Sequence, residues 1–209
     1  MLKLIKGVWL PETEQHMLAY ANEEGWGYQT QKLLAAMKWV KKCDVAVDVG
    51  AHCGLWSRPM ALVFKKVYAF EPVPLHREAY EKNVQGDYEL FPYACGDKDG
   101  EVKLKTVPHS TGDTNIDENG DLPVRVVRID DFLNTECDFL KIDTEGYEEF
   151  VLMGAERLLK SRPCVIVEQK PKKAQKYGLR ETGAVKHLRK LGAVQRAVIA
   201  GDFIMSWDE

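Results

Sequence analysis

Short apolar runs alternate with amphipathic segments along most of the chain from Val45 onward. The apolar runs have the length of buried strands, and the amphipathic segments have the length of helices. This alternation is typical of β-α-β units, which build a parallel sheet covered by helices on both faces. We predict strands at Val45–Val49, Val67–Glu71, Tyr88–Ala94, Phe139–Asp143 and Cys164–Glu168, and helices at Leu55–Phe64, Leu75–Val84 and Glu148–Leu159.

Two further segments have the period of two that is typical of half-buried strands. Residues Glu101–Val107 alternate polar and apolar positions, as do parts of Val124–Ile129, so we predict an inserted antiparallel hairpin. Its connection, PHSTGDTNIDENG, is polar and long, as binding loops often are. The final stretch, AVQRAVIAGDFIMSW, predicts two short strands around Ala200-Gly201-Asp202 that close the sheet with an antiparallel hairpin.

The residues before the first predicted strand follow a different pattern. Pro11–Asn22 and Tyr28–Val40 look helical. The 209 residues suit one domain with a short extension. We therefore predict an N-terminal helical extension over 1–42 and an α/β domain over 43–209.

Composition and charge indicate an ordinary soluble protein. The net charge of −3 does not favour nucleic acid or an anionic membrane as a partner. No apolar stretch approaches the roughly 18 residues that a membrane span needs, so we expect a cytoplasmic protein. The five cysteines are odd in number and form no C-x-x-C pair, which argues against a disulfide framework and a zinc site.

The segment VDVGAHCGLWS spans the end of the first predicted strand and the loop after it, where an open α/β sheet binds its ligand. Gly50 and Gly54 suit a nucleotide-binding loop, but His52 stands where a dinucleotide fingerprint has its second glycine. A side chain is tolerated there if the ligand brings no pyrophosphate close to the backbone. No G-K-[ST] follows, which argues against phosphoryl transfer.

Three acids then narrow the choice of ligand. Glu71 ends the second predicted strand about 20 residues after Gly50, where an acid is placed to accept hydrogen bonds from ribose hydroxyls. Asp97 follows the third strand and could accept from an adenine amino group. Asp48 could orient the loop or meet an ammonium group. A ligand with ribose, adenine and an amino acid but no phosphate is S-adenosylmethionine.

The segments that carry these residues resemble the FkbM family of S-adenosylmethionine-dependent methyltransferases over about Val45–Ser206. The resemblance implies a Rossmann-like class I methyltransferase fold, a seven-stranded, mostly parallel sheet with an antiparallel last strand, and O-methylation of a sugar or natural-product hydroxyl. It carries the family's cofactor pattern over to Asp48, Gly50, Gly54, Glu71 and Asp97. The segments are VDVGAHCGLWS, VYAFEPVP, YACGDKDG, IDDFL and FLKIDTEGYEEFVLMGA.

Carboxylates that end two later strands are the candidate catalytic residues. Methyl transfer to a hydroxyl needs a positioned acceptor and a group that takes its proton. Asp143 ends the fourth predicted strand and Glu145 follows it, so one of them orients the acceptor or acts as base, or together they hold the cofactor's amino group. Glu145 has the alternative role of capping the next helix. Glu168 ends the fifth strand at the same edge of the sheet.

The sequence alone leaves the acceptor and the reaction class open. Asp143, Glu168 and nearby lysines are similar to the catalytic set of RNA ribose 2′-O-methyltransferases, although the acidic net charge makes nucleic acid an unlikely partner. A small-molecule or glycan hydroxyl is the expected acceptor, and an anionic one is possible beside Lys170, Lys172, Lys173 and Lys176. A nicotinamide-dependent oxidoreductase and an inactive cofactor-binding module also remain open. We assign no metal ligand, although whether a divalent metal assists stays open: Asp143, Glu145 and Glu168 could bind one, but a carboxylate cluster alone is weak support for a metal site.

Overall fold

The computed structural model describes residues 1–22, 25–26, 28–170 and 172–208, with the backbone alone over 19–22 and 25–26. Its strands are β1 (Leu2–Ile5), β2 (Val8–Pro11), β3 (Ala21–Asn22), β4 (Gly25–Trp26), β5 (Val45–Val49), β6 (Lys66–Phe70), β7 (Tyr88–Phe91), β8 (Ala94–Cys95), β9 (Gly100–Lys105), β10 (Asn115–Ile116), β11 (Leu122–Val127), β12 (Phe139–Ile142), β13 (Cys164–Glu168), β14 (Val194–Ile199) and β15 (Asp202–Ser206). Its α-helices are α1 (Thr30–Met37), α2 (Ser57–Met60), α3 (Pro74–Asn83), α4 (Ile129–Phe132), α5 (Glu148–Met153) and α6 (Gly183–Lys190). Short 3₁₀ turns lie at His16–Tyr20, Thr111–Asp113, Leu158–Ser161 and Ala174–Tyr177.

Seven strands form the main sheet in the order β14-β15-β13-β12-β5-β6-β7. β15 is antiparallel to both of its neighbours, and the other pairs are parallel. The predicted parallel sheet with an antiparallel last strand is therefore confirmed. Strand order reverses at β5, which has β6 on one side and β12 on the other. In such sheets the ligand binds at this reversal, beyond the carboxyl ends of the strands.

The core lies on both faces of this sheet. Every residue of β12 and β13 is buried, as expected for strands covered by helices on both sides. Alternate residues of β12 point to opposite faces: Leu140 belongs to one apolar cluster, whereas Phe139 belongs to another. The continuous apolar runs of the sequence follow from this double burial.

The inserted hairpin is present and forms the centre of a second sheet. β9 and β11 pair antiparallel, with Leu104 opposite Leu122. β10 adds to the outer edge of β9, and β8 pairs in parallel with β11. The single strand predicted at Tyr88–Ala94 is accordingly split between the two sheets. The split falls at Pro92, which has no backbone N–H to donate to a ladder.

The helix predicted at Pro11–Asn22 is wrong. The chain begins instead with the hairpin β1-β2, followed by the 3₁₀ turn and β3. The physical reason is tertiary burial, because Val8 and Leu10 are fully buried in a cluster with Cys53 of the glycine loop. Of the two helices predicted before Val45, only the later one is present, as α1 within the predicted range Tyr28–Val40. The domain boundary at 42/43 stays a prediction.

Two predicted helices are shorter than their periodicity indicated. The helix expected at Leu55–Phe64 is α-helical only over α2, and the one expected at Glu148–Leu159 ends with α5 before a 3₁₀ turn. Across the ranges given above, none of the helices has both the length and the apolar character needed to cross a membrane.

Candidate functional site

A cavity of about 350 Å³ opens at the carboxyl ends of β5, β6, β12 and β13, a size within the range of roughly 300–1,000 Å³ found for small-molecule sites. Its floor and sides come from the loops that follow these four strands. His16 and Met17 of the N-terminal segment and residues 110–116 of the inserted hairpin's connection also line it. Five of the predicted site residues line it: Gly50, Glu71, Asp143, Glu145 and Glu168.

The backbone of the loop after β5 packs so closely against the loop after β12 that no side chain fits between them at Gly50. Gly50 has φ +74°, and a Cβ at this position would lie 1.9 Å from the carbonyl oxygen of Asp143. The backbone N–H groups of Gly50 and Ala51 both donate to the carbonyl oxygen of Phe70, at 3.0 and 3.1 Å. A glycine is therefore required here by both the left-handed backbone and the close approach.

Asp48 lies beneath this loop rather than on the cavity wall, as far as the described residues form that wall. It is fully buried, accepts a hydrogen bond from Ser57 Oγ at 2.7 Å, and pairs with Lys141 Nζ at 3.1 Å. Lys141 Nζ also donates to the carbonyl oxygen of Gly50 at 2.6 Å. Of the two roles predicted for Asp48, the contacts through Lys141 favour orienting the loop.

Lys141 is a site residue that the sequence analysis missed. Burial alone would lower the pKa of its ammonium group, but the charges of Asp48 and Asp143 outweigh burial and raise that pKa above its usual value. Lys141 therefore remains charged on the cavity wall. The signal that could have found it is a lysine inside the otherwise apolar strand FLKI.

Glu71 is the acid on the β6 side of the cavity. It is buried and accepts hydrogen bonds from His52 N at 2.8 Å, Val73 N at 2.9 Å and His76 Nδ1 at 3.1 Å. Burial tends to raise the pKa of its carboxyl group, but the hydrogen bonds and the His76 ring outweigh burial and lower that pKa below the usual value. Glu71 is thus an ionised acceptor facing a ligand cavity.

The three candidate catalytic acids meet on the other side of β5. Each of Asp143, Glu145 and Glu168 offers an oxygen atom within 4.8 Å of the others. The ammonium group of Lys173 contacts Glu145 and lies 3.6 Å from Glu168 Oε2, and Lys170 contacts Glu168 Oε1. Such oxygens could also ligate a hard divalent cation, but Lys173 already places a positive charge among them. The assignment of no metal ligand stays a prediction.

Glu168 has an unusual electrostatic environment. Its side chain is 4% exposed, and Oε2 has no hydrogen-bond partner among the residues that the structure describes. Burial, together with the negative charge of Asp143, raises the pKa of its carboxyl group to about 8. Glu168 can therefore exchange a proton close to neutral pH, as a general acid or base must.

Glu148, and not Glu145, stabilises the loop that leads into α5. Glu148 Oε1 accepts hydrogen bonds from Thr144 N at 3.1 Å and Gly146 N at 2.8 Å. Burial raises the pKa of its carboxyl group to about 7. Glu145 instead turns, with φ +57°, toward Lys173. Glu145 therefore does not take the alternative capping role predicted for it, and the acid that bonds this loop is Glu148.

The structure does not bring Gly54 or Asp97 to the cavity wall, as far as that wall is described. A Cβ on Gly54 would lie 2.6 Å from Val84 Cγ2, so this glycine lets the loop pack against the end of α3. Asp97 follows Gly96, whose N–H donates to the carbonyl oxygen of Val127 and keeps the chain paired with β11 beyond the cavity. The wall near this strand is formed by residues 93–95 instead.

The roof of the cavity is tied to the glycine loop by a chain of hydrogen bonds. Glu14 is fully buried, and its Oε2 accepts from Thr111 N at 2.7 Å and from Thr111 Oγ1 at 2.5 Å. Thr111 Oγ1 lies 2.8 Å from His52 Nε2. Three segments far apart in the sequence thus meet over one side of the cavity.

Comparison with known proteins agrees with this architecture. The family model described as "Methyltransferase FkbM domain" matches residues 48–192, more than half of the chain. No curated protein matches the chain significantly.

Several solved structures are similar to this chain at low sequence identity, and the first two below share its fold. A precorrin-6y C5,15-methyltransferase from Geobacter metallireducens is 15% identical with a TM-score of 0.53, and the match covers 87% of this chain and 89% of that one. A candidate methyltransferase from Streptococcus mutans, solved with S-adenosylhomocysteine, is 10% identical with a TM-score of 0.52, covering 85% and 96%. A methyltransferase FkbM from Methylobacillus flagellatus is 16% identical with a TM-score of 0.49, and the match covers 92% of this chain but 57% of that one.

Proposed function

The chain belongs to the FkbM methyltransferase family, and we propose that this S-adenosylmethionine-dependent enzyme methylates a hydroxyl group of a sugar, a glycan or a small natural product. The observation that carries the proposal is the environment of the Glu168 carboxyl group. Glu168 is a buried acid on the cavity wall, its Oε2 accepts no hydrogen bond from the described residues, and burial together with the charge of Asp143 raises its pKa to about 8.

The cavity has room and acceptors for the cofactor at the reversal of strand order. In the proposed complex Glu71, on the β6 side, accepts from the ribose, and Asp143, on the β12 side, meets the amino group. Glu71 and Glu168 follow strands three places apart in the sheet, a separation of about 14 Å. That separation leaves space for the adenosyl part and the acceptor in one cavity. When bound, the cofactor supplies a methyl group that a sulfonium has already activated.

Glu168 is the proposed general base. In its ionised form it accepts the proton of the acceptor hydroxyl at Oε2, the oxygen without a hydrogen-bond partner in the described chain. The contacts of Lys170 and Lys173 hold the carboxylate in place. Asp143 keeps the pKa of Glu168 raised and so makes its ionised form a stronger base.

The charges around the cavity favour a neutral acceptor over an RNA. The described wall carries five carboxylates, namely Glu71, Asp113, Asp143, Glu145 and Glu168, and three lysines, namely Lys32, Lys141 and Lys170. Each of these lysines is already paired with an acid, at Asp202, Asp48 and Glu168. A polyanion would have to displace those acids, whereas a neutral hydroxyl would not.

The test is transfer of an isotope-labelled methyl group from S-adenosylmethionine, followed by mass spectrometry of the products. The acceptors offered are neutral sugars and glycans, polyhydroxylated small molecules and RNA oligonucleotides. We expect label on an oxygen of a neutral acceptor. Glu168→Gln should lower turnover about 100-fold or more, whereas Glu156→Gln, at an exposed acid away from the cavity, should leave it unchanged. Label found only in RNA, or only on nitrogen, would overturn the proposed acceptor.

A further inference from the structure

His52 presents an unused hydrogen-bond acceptor at the cavity. The residue lines the cavity wall, and its Nδ1 atom is buried with no hydrogen-bond partner in the described part of the chain. Its ring lies against that of His76, with the centroids 4.0 Å apart. A buried polar atom without a partner costs free energy, so a ligand that supplies a donor at this point gains affinity.

The hydrogen bonds on the other side of the ring set which nitrogen carries the proton. Thr111 Oγ1 has one hydrogen, and its short contact with the Glu14 carboxylate uses that hydrogen. His52 Nε2 must therefore be the donor toward Thr111 Oγ1. Burial lowers the pKa of the imidazole well below its usual value, so the ring is neutral and Nδ1 keeps its lone pair.

Glu71 offers a second free acceptor beside His52. A carboxylate accepts about four hydrogen bonds, two at each oxygen. Oε1 already accepts from Val73 N and His76 Nδ1, whereas Oε2 accepts, among the described residues, only from the backbone N–H of His52. One acceptor position on Glu71 Oε2 and one on His52 Nδ1 thus remain, on two cavity-lining residues that the His52 N–H bond to Oε2 holds together.

Two acceptors held together in this way match a ligand with two adjoining donors, which is what a vicinal diol presents. We propose that His52 is a ribose-binding residue, with one ribose hydroxyl of the adenosyl group donating to Glu71 Oε2 and the other to His52 Nδ1. Glu14 and Thr111 are positioning residues that hold the imidazole in the tautomer this contact needs. The inference rests on the proposed cofactor position in the cavity.

Calorimetric titration with S-adenosylhomocysteine and with its 2′-deoxy and 3′-deoxy ribose analogues tests the assignment. The proteins are the unmodified chain, His52→Phe and His187→Phe, the last replacing a histidine away from the cavity wall. We expect His52→Phe to bind S-adenosylhomocysteine about tenfold more weakly and to lose discrimination against one of the two analogues. His187→Phe should bind all three ligands as the unmodified chain does.

The outcomes separate this inference from the proposed function. If the unmodified chain does not bind S-adenosylhomocysteine, the cofactor position itself fails. If it binds, and His52→Phe discriminates against both analogues as strongly as the unmodified chain, the His52 contact alone is overturned.

A second measurement does not depend on a variant that folds. In nitrogen-15 spectra of the unmodified chain, the His52 Nδ1 resonance should be that of an unprotonated nitrogen. It should shift on addition of S-adenosylhomocysteine and shift less with one deoxy analogue. An Nδ1 resonance that is protonated in the free protein, or unaffected by the ligand, would overturn the assignment.

Discussion

Lys141 and Asp48 form a buried ion pair directly under the glycine loop, with 3.1 Å between Nζ and Oδ1. The lysine extends this pair to the loop itself through its hydrogen bond to the Gly50 carbonyl oxygen. A buried charge that loses its partner is strongly destabilising, because burial has already removed it from water. The pair therefore contributes both to the stability of the fold and to the conformation of the glycine loop that lines the cavity.

Replacing Lys141 by Met tests how much the Lys141–Asp48 pair contributes to the stability of the fold. We expect Lys141→Met to lower the free energy of unfolding by about 3–5 kcal/mol, because Asp48 is left buried and unpaired. Urea denaturation measures the change. Lys65→Met, which removes an exposed partner of Asp44, serves as the control and should produce no measurable change. Equal effects of the two substitutions would contradict the role assigned to the buried pair.

The raised pKa of Glu168 predicts an alkaline pH optimum. If the ionised carboxylate is the base, kcat should rise with pH through about 8, where the folded protein releases this proton. Asp143 contributes to the raised pKa through its negative charge, so in Asp143→Asn the midpoint should move to lower pH, whatever happens to the maximal rate. The pH profile of kcat checks both statements. A profile that stays flat across the neutral and mildly alkaline range would contradict a base with this pKa.

Because Lys173 lies among the carboxylates of Asp143, Glu145 and Glu168, we expect the enzyme's turnover not to require a divalent cation. Its ammonium group contacts Glu145 and neighbours Glu168, so a metal ion entering the cluster would meet a like charge. We expect turnover to survive treatment with a chelator. Calorimetry with Mn²⁺ should detect binding to Lys173→Met, in which the carboxylates lose this cation, and none to the unmodified chain. Loss of activity on chelation that magnesium restores would show that the cluster is a metal site.

Comparing substitutions at Gly50 and Gly7 tests whether the close approach of the Gly50 backbone to the Asp143 carbonyl oxygen is required. Both have a positive φ, but a Cβ on Gly7 meets nothing within 4 Å, whereas one on Gly50 would overlap the Asp143 carbonyl oxygen. Gly7→Ala should cost about 1–2 kcal/mol of stability for its backbone alone. Gly50→Ala should cost at least about 2 kcal/mol more and also weaken binding of S-adenosylhomocysteine. Chemical denaturation and calorimetry measure both effects, and equal costs would mean that the approach to Asp143 is not required.

Much of the fold could be predicted because its signals are local. The strands around Val45 and Cys164 are buried on both faces, so their apolar runs identify them without knowledge of their partners. The family motifs correctly indicated the sheet and its antiparallel last strand. Gly50, Glu71, Asp143, Glu145 and Glu168 could be placed at one site because the carboxyl ends of parallel strands share one edge.

The failures concern residues whose roles depend on partners far away in the sequence. Pro11–Asn22 has a helical pattern, but burial of the neighbouring strand against the glycine loop outweighs that local preference. Asp97 follows the predicted strand but does not line the cavity as far as its wall is described, and its role toward the adenine stays a prediction. No local pattern marks such contacts.

The sequence by itself thus determined the parallel strands of the main sheet from Val45 onward, the glycine loop and the acids at the strand ends, since each depends on periodicity or on short motifs. Only the tertiary structure decided that Lys141 supports the loop from below, and that Glu14 and Thr111 set the tautomer of His52. These contacts join segments that the chain separates by tens of residues. These contacts form only when the strands have assembled into the sheet. The polar groups involved are then buried, and a buried polar group without a hydrogen-bond partner is energetically costly.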